Sequence, residues 1–257
     1  MRVNTLRVFV QVLFFGLLLG AASTANADAV AIASFSFNNL QITPTAGSVT
    51  FTPTAASARG FASNSLGETQ DITNSTLPVA QAAAAVTFTN AAGSASATNL
   101  TASVTSFSNL EGCSCSASSF SRATFDTTFV ISGGQGDVLV TISFIPSAIG
   151  QVSTDEFGAF AFASVFYTVN LNGVPVFSKD EILTEREGPN QSGTFQLLPF
   201  TMSRTFTLQY GVPNTLNVII GAGSAGVDAV PEPATVVLMV TGLGFMGGVL
   251  KRKKKQG

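Results

Sequence analysis

Period-two alternation of apolar and polar residues dominates the chain between residues 33 and 220. Side chains at i and i+2 share one face of a strand, so each alternating run predicts one. Residues 33–43, ASFSFNNLQIT, alternate Phe with polar residues and stop at Pro44, and 48–52 and 85–89 are short partners. Residues 99–108 and 119–132 read as longer strands. Residues 137–145 follow the turn Gly133-Gly134-Gln135-Gly136, where glycine reaches positive φ without steric cost. Residues 158–171, GAFAFASVFYTVNL, run into Asn172-Gly173 and return as 174–178. An Asn-Gly pair between alternating runs is a strong signal for a two-residue hairpin, and Pro175, which lacks a ladder donor, sends the return strand to a sheet edge. With 194–198, 202–210 and 215–220 this makes about ten short strands, which predicts an all-β fold: an antiparallel β-sandwich or jelly-roll-like domain over 28–220. Phenylalanine is expected to fill the space between its sheets. Three stretches break the pattern. Residues 55–84 read as a long loop with a short helix at 79–85, 179–190 as a charged loop or single helical turn, and 221–229, GAGSAGVDA, as a flexible stalk.

The two ends carry signals rather than fold. Arg2 and Arg7 precede an apolar core over 8–20, and Ala25-Asn26-Ala27 supplies the small-x-small pattern of a cleavage site. Residues 1–27 are therefore read as a secretory signal peptide, with signal peptidase the expected partner at Ala25 and Ala27. At the other end, 234–250 holds 17 residues without a charge, at ~1.5 Å per residue enough for roughly 25 Å of membrane-spanning helix. Lys251, Arg252, Lys253, Lys254 and Lys255 follow as a stop, and their charge keeps that end cytoplasmic, which puts the body outside. In front of the span, Pro231 and Pro233 bracket Glu232 and hold the backbone extended.

Val230-Pro231-Glu232-Pro233, an apolar helix and a basic end, in that order over 230–257, resemble the PEP-CTERM sorting signal of Gram-negative bacteria. The resemblance covers roughly a tenth of the chain. It implies recognition and processing by an exosortase, a membrane-embedded protease-like enzyme, in cells that make exopolysaccharide. Expected from it is an exported protein, anchored in the inner membrane with its body outside, then displayed at the cell surface or released after processing.

Charge sharpens the picture of the body. Thirteen of the 14 acidic residues but only five of the 12 basic ones lie within 28–229, so the formal net charge of −2 hides an acidic domain behind basic ends. Such a surface repels phosphate chains, and no nucleic-acid partner is expected. The chain has no His, which removes Ser-His and Cys-His nucleophile pairs and all His-liganded metal sites. No catalytic residue, metal site or cofactor is expected.

What chemistry remains is sparse. Cys113-Ser114-Cys115 admits a local disulfide, free thiols or intermolecular pairing, and two sulfurs alone do not satisfy zinc. Asp155, Glu156, Asp180, Glu181, Glu185 and Glu187 read as solvated loop charges; calcium ligation would need a spacing they lack. The expected function is thus a non-enzymatic envelope or matrix protein associated with exopolysaccharide. An alternative is a carbohydrate-binding module presenting Tyr167 or Tyr210 on an exposed sheet face. A carboxylate-dependent hydrolase would need acids such as Asp155, Glu156, Glu181 and Glu185 to converge in a pocket.

Overall fold

The computed structural model describes residues 29–110, 115–154, 159–186 and 191–227, with 181–186 described by backbone alone. Thirteen strands and no helix occupy them: β1 (Ala29–Pro44), β2 (Ser48–Asn64), β3 (Thr69–Asn74), β4 (Val79–Val86), β5 (Thr89–Ser96), β6 (Thr101–Asn109), β7 (Ser116–Ser132), β8 (Asp137–Thr154), β9 (Phe160–Leu171), β10 (Val174–Arg186), β11 (Gln191–Leu197), β12 (Met202–Gln209) and β13 (Asn214–Val227). Every pairing is antiparallel. One sheet has the order β11-β8-β1-β6-β5-β4, and β12 continues along the same edge of β8 beyond β11. The other has the order β10-β9-β13-β7-β2-β3.

The sheets bury their facing sides against one another. At the β8–β1 and β9–β13 side, aromatic rings bridge the layers: Phe35 stacks on Tyr167 at 5.3 Å, Phe37 meets Phe125 at 6.0 Å, and Phe144 meets Phe177 at 5.0 Å. Ile131, Ile142, Leu216 and Ile220 fill the space around them. Towards β3 and β4 the inward positions shrink to Ala58, Gly60, Ala82, Ala84, Ala91 and Gly93. A methyl group on Gly60 would stand 2.8 Å from the Ala91 carbonyl oxygen and 2.9 Å from the Ala84 nitrogen. The layers are therefore wedge-shaped in section, thick where Phe lines them and thin where Ala and Gly do.

All three broken stretches turn out to hold strand. Residues 55–84 are not a loop with a helix: they hold most of β2, all of β3 and the start of β4, including the VAQAAAAV run at Val79–Val86. Alanine is a poor strand former in isolation, but here the close layers leave room for nothing larger. The stalk expected at 221–229 is likewise corrected, because β13 runs on to Val227 with Gly221, Ala222, Gly223 and Ser224 buried. The charged excursion at 179–190 is strand through Arg186, since β10 is a sheet edge where Lys179 and Asp180 reach water.

Turn chemistry matches the sequence. Asn172 (φ 51°) and Gly173 (φ 78°) form the β9–β10 hairpin, and the Asn172 Oδ1 accepts from the Thr215 amide at 2.8 Å, docking the turn on β13. In β1 a bulge at Asn39 (φ 54°) shifts the register between Asn38 and Gln41, which returns Leu40 and Ile42 to the core face after Phe35 and Phe37.

The exposed side of β4 is closed by side chains rather than by another strand. The Asn74 Nδ2 donates to the Gln81 carbonyl, Thr76 Oγ1 to the Val79 carbonyl, the Ala85 amide to Gln70 Oε1 and the Thr87 amide to Glu68 Oε2. These bonds occupy backbone groups that would otherwise template edge-to-edge pairing. Hydrogen bonds from Thr87 and Asn64 hold the Glu68 carboxyl below the usual carboxylate range. A lowered folded-state pKa contributes stability that is present above the unfolded value and is lost as pH falls through the folded one. Protection of the Thr87 amide in hydrogen exchange should therefore hold from neutral pH and fall on the acid side of about pH 4. Glu68→Gln should show a pH-flat, lower protection; a variant profile that matches wild type would rule out the carboxylate as the cap.

Candidate functional site

Few of the residues expected to carry function fall within the described structure. Val230, Pro231, Glu232 and Pro233, the cleavage pair Ala25 and Ala27, the basic run 251–255, Cys113 and the acids Asp155, Glu156 and Glu187 all lie outside it. So do the side chains of Glu181 and Glu185. Cys115 is described. It is disulfide-bonded and 8% exposed, and it packs in a small apolar cluster with Ala29, Leu110, Ala117 and Ala159.

The tyrosine platform is corrected at Tyr167. Tyr167 points into the core at 2% exposure, where its hydroxyl donates to the Met202 sulfur at 3.0 Å and burial pushes its pKa up. Tyr210 is half-buried, lies against Gly47 and Gly134, and donates to the Ala46 carbonyl at 3.0 Å. Tyr167 therefore offers no ring face to a ligand, whereas Tyr210 stays partly exposed. Along β9 the outward row mixes Phe160, Phe162 and Phe166 with Ser164, Thr168 and Asn170, and pairing assigns Ala161, Ala163, Val165 and Tyr167 inward. Phe162 and Phe166 therefore face out, contrary to the expectation that phenylalanine fills the interior.

Among the described residues, three surfaces or clusters retain chemical content. The first is a set of buried hydroxyls between the layers. Ser106, Ser119 and Ser224 are mutually bonded at 2.6–3.0 Å, and Ser108 joins them at 3.1 Å from Ser224 and from Thr89. A nucleophilic serine needs a base to take its proton. These hydroxyls bond one another and backbone carbonyls, an arrangement that satisfies their burial in the thin part of the wedge.

The second is a shallow trough of about 400 Å³ on the outer face of the first sheet, across β4, β5 and β6. Its floor is Ala83, Ala92, Ser94, Ser103 and Thr105. The register lines Gln81, Ser94, Ser103, Ser36 and Ser147 along one rung over five strands, with Ser94–Ser103 at 2.8 Å and Ser36–Ser147 at 2.6 Å. The hydroxyls satisfy each other in pairs, so the rung offers little free capacity for a ligand.

The third lies on the outer face of the second sheet. Gly221 and Gly223 on β13 leave a strip without side chains, and rings from the two flanking strands lie over it. A methyl group on Gly221 would collide with the Phe166 ring, whereas one on Gly223 would stand 3.1 Å from the Ser164 Oγ, with Phe120 at an ordinary 3.8 Å. The Phe120 and Phe166 rings are nearly parallel, 13° apart with centroids 6.3 Å apart. The register sets Asp180, Phe166, Gly221, Arg122 and Arg59 on one rung. Arg59 is drawn sideways into a two-point pair with Asp71, at 2.9 and 2.7 Å, which keeps the Asp71 carboxyl below its ordinary range. Arg122 and Asp180 are exposed, and neither makes a hydrogen bond or ion pair among the described residues.

Among the described residues no group of His, Cys, Asp and Glu is placed to hold a metal, and no helix is long and apolar enough to cross a membrane. No family model, curated protein or solved structure matches the chain.

Proposed function

We propose that this chain is an exported, non-enzymatic protein of the cell envelope or extracellular matrix, sorted through a PEP-CTERM-like tail and associated with exopolysaccharide. The observation that carries the reading is the three-part order of 230–257: Val230-Pro231-Glu232-Pro233, an uncharged span, then Lys251 to Lys255. The fold is compatible with processing at both ends. The thirteen described strands all lie within 29–227, between the expected cleavage at Ala27 and Val230. Removal of either segment leaves all thirteen strands whole. In this reading the two stacked sheets form a β-sandwich that is displayed outside the cytoplasm. An exosortase-like protease reads the extended Pro-Glu-Pro peptide, and the disulfide at Cys115 suits the oxidising compartment into which signal peptidase would release the body.

The test is intact mass and membrane fractionation of the protein from its native host beside a Glu232→Ala variant. The wild type should lack the mass beyond about Pro233 and leave the inner membrane, while the variant stays full-length and anchored. A wild type that keeps its tail and its anchor would reduce 230–233 to a spacer and overturn the sorting proposal.

A further inference from the structure

We infer that Met202 is an oxidation site of the folded domain, at which a peroxide converts the thioether to a sulfoxide, breaks the bond to Tyr167 and releases β12 from the facing sheet. The site is independent of the sorting tail.

β12 is fastened along one side only: it pairs with β8 and, among the described residues, with no strand beyond. The register places Met202, Arg204, Phe206 and Leu208 on its core side. Phe206 and Leu208 pack there as half-buried apolar residues, while the Arg204 Nη1 reaches the Val176 carbonyl of β10 at 3.3 Å. Met202 makes the other link to the facing sheet, since its sulfur accepts the hydroxyl of Tyr167 on β9 at 3.0 Å. Two polar bonds thus tie this edge strand across the core, and one of them runs through sulfur.

That bond matters because a phenol at 2% exposure needs a partner. Among the described residues the Met202 sulfur is the one that the Tyr167 hydroxyl has. Burial pushes the phenol pKa up and keeps it a donor. A thioether is a weak acceptor, and unlike a backbone carbonyl it can be oxidised. Met202 is also the sulfur that an oxidant meets. It is the single methionine between residues 28 and 229, Cys115 is already in a disulfide, and the chain has no Trp. At the edge of its sheet Met202 is half-buried rather than enclosed.

In the reaction a sulfur lone pair attacks one peroxide oxygen. The O–O bond breaks, an S–O bond forms and the second oxygen leaves as water, so sulfur gives up two electrons and peroxide takes them. The 3.0 Å between sulfur and hydroxyl leaves no place for a third atom between them, because an O–H···O bond alone takes about 2.7–2.8 Å. The new oxygen either points away, which leaves the buried hydroxyl against a sulfur that has lost a lone pair and gained positive charge, or drives the side chain outward. Both break the link, and the sulfoxide, polar where the thioether was apolar, draws the side chain towards water. Loss of β12 uncovers the edge of β8 from Asp137 to Phe144.

Hydrogen exchange of the full chain in detergent, before and after treatment with hydrogen peroxide, tests this, with peptide mass giving the extent of oxidation at Met202. Met202 should be converted in the folded protein, and exchange over 203–209 should then rise about tenfold while β5 and β6 stay unchanged. Tyr167→Phe keeps the ring and removes the donor, so its exchange over 203–209 should start higher and rise less than about threefold on oxidation. Met202→Leu, close in volume, should make β12 indifferent to peroxide, which separates the effect from oxidation at Met239 and Met246. Four results would each overturn the inference: Met202 left unmodified at a peroxide dose that converts it in urea, exchange over 203–209 unchanged by its oxidation, a rise in Tyr167→Phe as large as in wild type, or a Met202→Leu chain as responsive as wild type. Residues 230–257 are the same in every variant, so none of these outcomes bears on sorting.

Discussion

Phe144→Ala should lower the unfolding free energy by about 3–5 kcal/mol. Phe144 is fully buried on β8 and its ring meets three others, Phe37 at 4.5 Å, Phe177 at 5.0 Å and Tyr167 at 5.8 Å. Phe37 belongs to the same sheet, whereas Tyr167 and Phe177 come from the facing one. Truncation therefore removes the ring that joins the layers at their thickest point. Because the neighbours hang from three separate strands, they cannot all move in to fill the gap, and the cavity term adds to the lost transfer energy. Urea denaturation gives the number: the midpoint should fall with the slope unchanged. A loss below about 1 kcal/mol would mean that the site collapses freely and that the rings do not hold the layers apart.

Gly93→Val acts at the opposite end of the wedge and by the opposite mechanism. A Cβ at Gly93 would stand 2.8 Å from the Arg122 carbonyl oxygen and 3.3 Å from that of Arg59. Both atoms are backbone of the facing sheet, so no side chain can swing aside and the layers themselves must separate. Overpacking of this kind is expected to cost about 3 kcal/mol, in spite of the gain in strand propensity from a β-branched residue. The neighbouring Ala92 faces outward on the same strand, so Ala92→Val is the control and should change stability by no more than about 0.5 kcal/mol. Equal melting temperatures for the two variants would show that the thin end has slack.

Much of this architecture is legible in the chain because alternation, prolines and turn residues act locally. The Asn172-Gly173 hairpin, the edge position of the strand bearing Pro175 and the glycine turn before Asp137 each follow from the conformation that one or two residues allow. What is not legible depends on the partner across the core. Small-residue runs such as AAAA at 82–85 and the GAGSAG of 221–226 carry no strong strand preference; the first is set by the close opposite layer, and the second by pairing with β7 and β9 on both sides. For β9 the difficulty is of another kind. Both of its faces carry bulky rings, Phe160, Phe162 and Phe166 on one and Tyr167 on the other, but Ser164, Thr168 and Asn170 mark the first as outward, so the expectation of an exposed Tyr167 fails. Phe120 and Phe166 lie far apart in the chain and meet only through β13, though an unexplained Gly221 and Gly223 at alternate positions is the available hint. The sorting residues, in contrast, are legible only as sequence, since 230–257 lies outside the described residues.

The position of β13 has a consequence for how the protein is made. It is the last of the described strands to be synthesised, yet it sits third in its sheet, hydrogen-bonded to β9 on one side and β7 on the other. Until residues 214–227 are present, β9–β10 and β7–β2–β3 are two fragments of a sheet, each with a long uncovered edge. Pairings of this kind span most of the chain and form slowly, because loop closure must precede any gain from contact. The second sheet therefore cannot be completed before β13 is made, and the nascent chain carries two uncovered edges until then, whereas the first sheet has all its strands earlier. Truncation before Asn214 is expected to leave these two edges open to edge-to-edge pairing rather than to give a smaller domain.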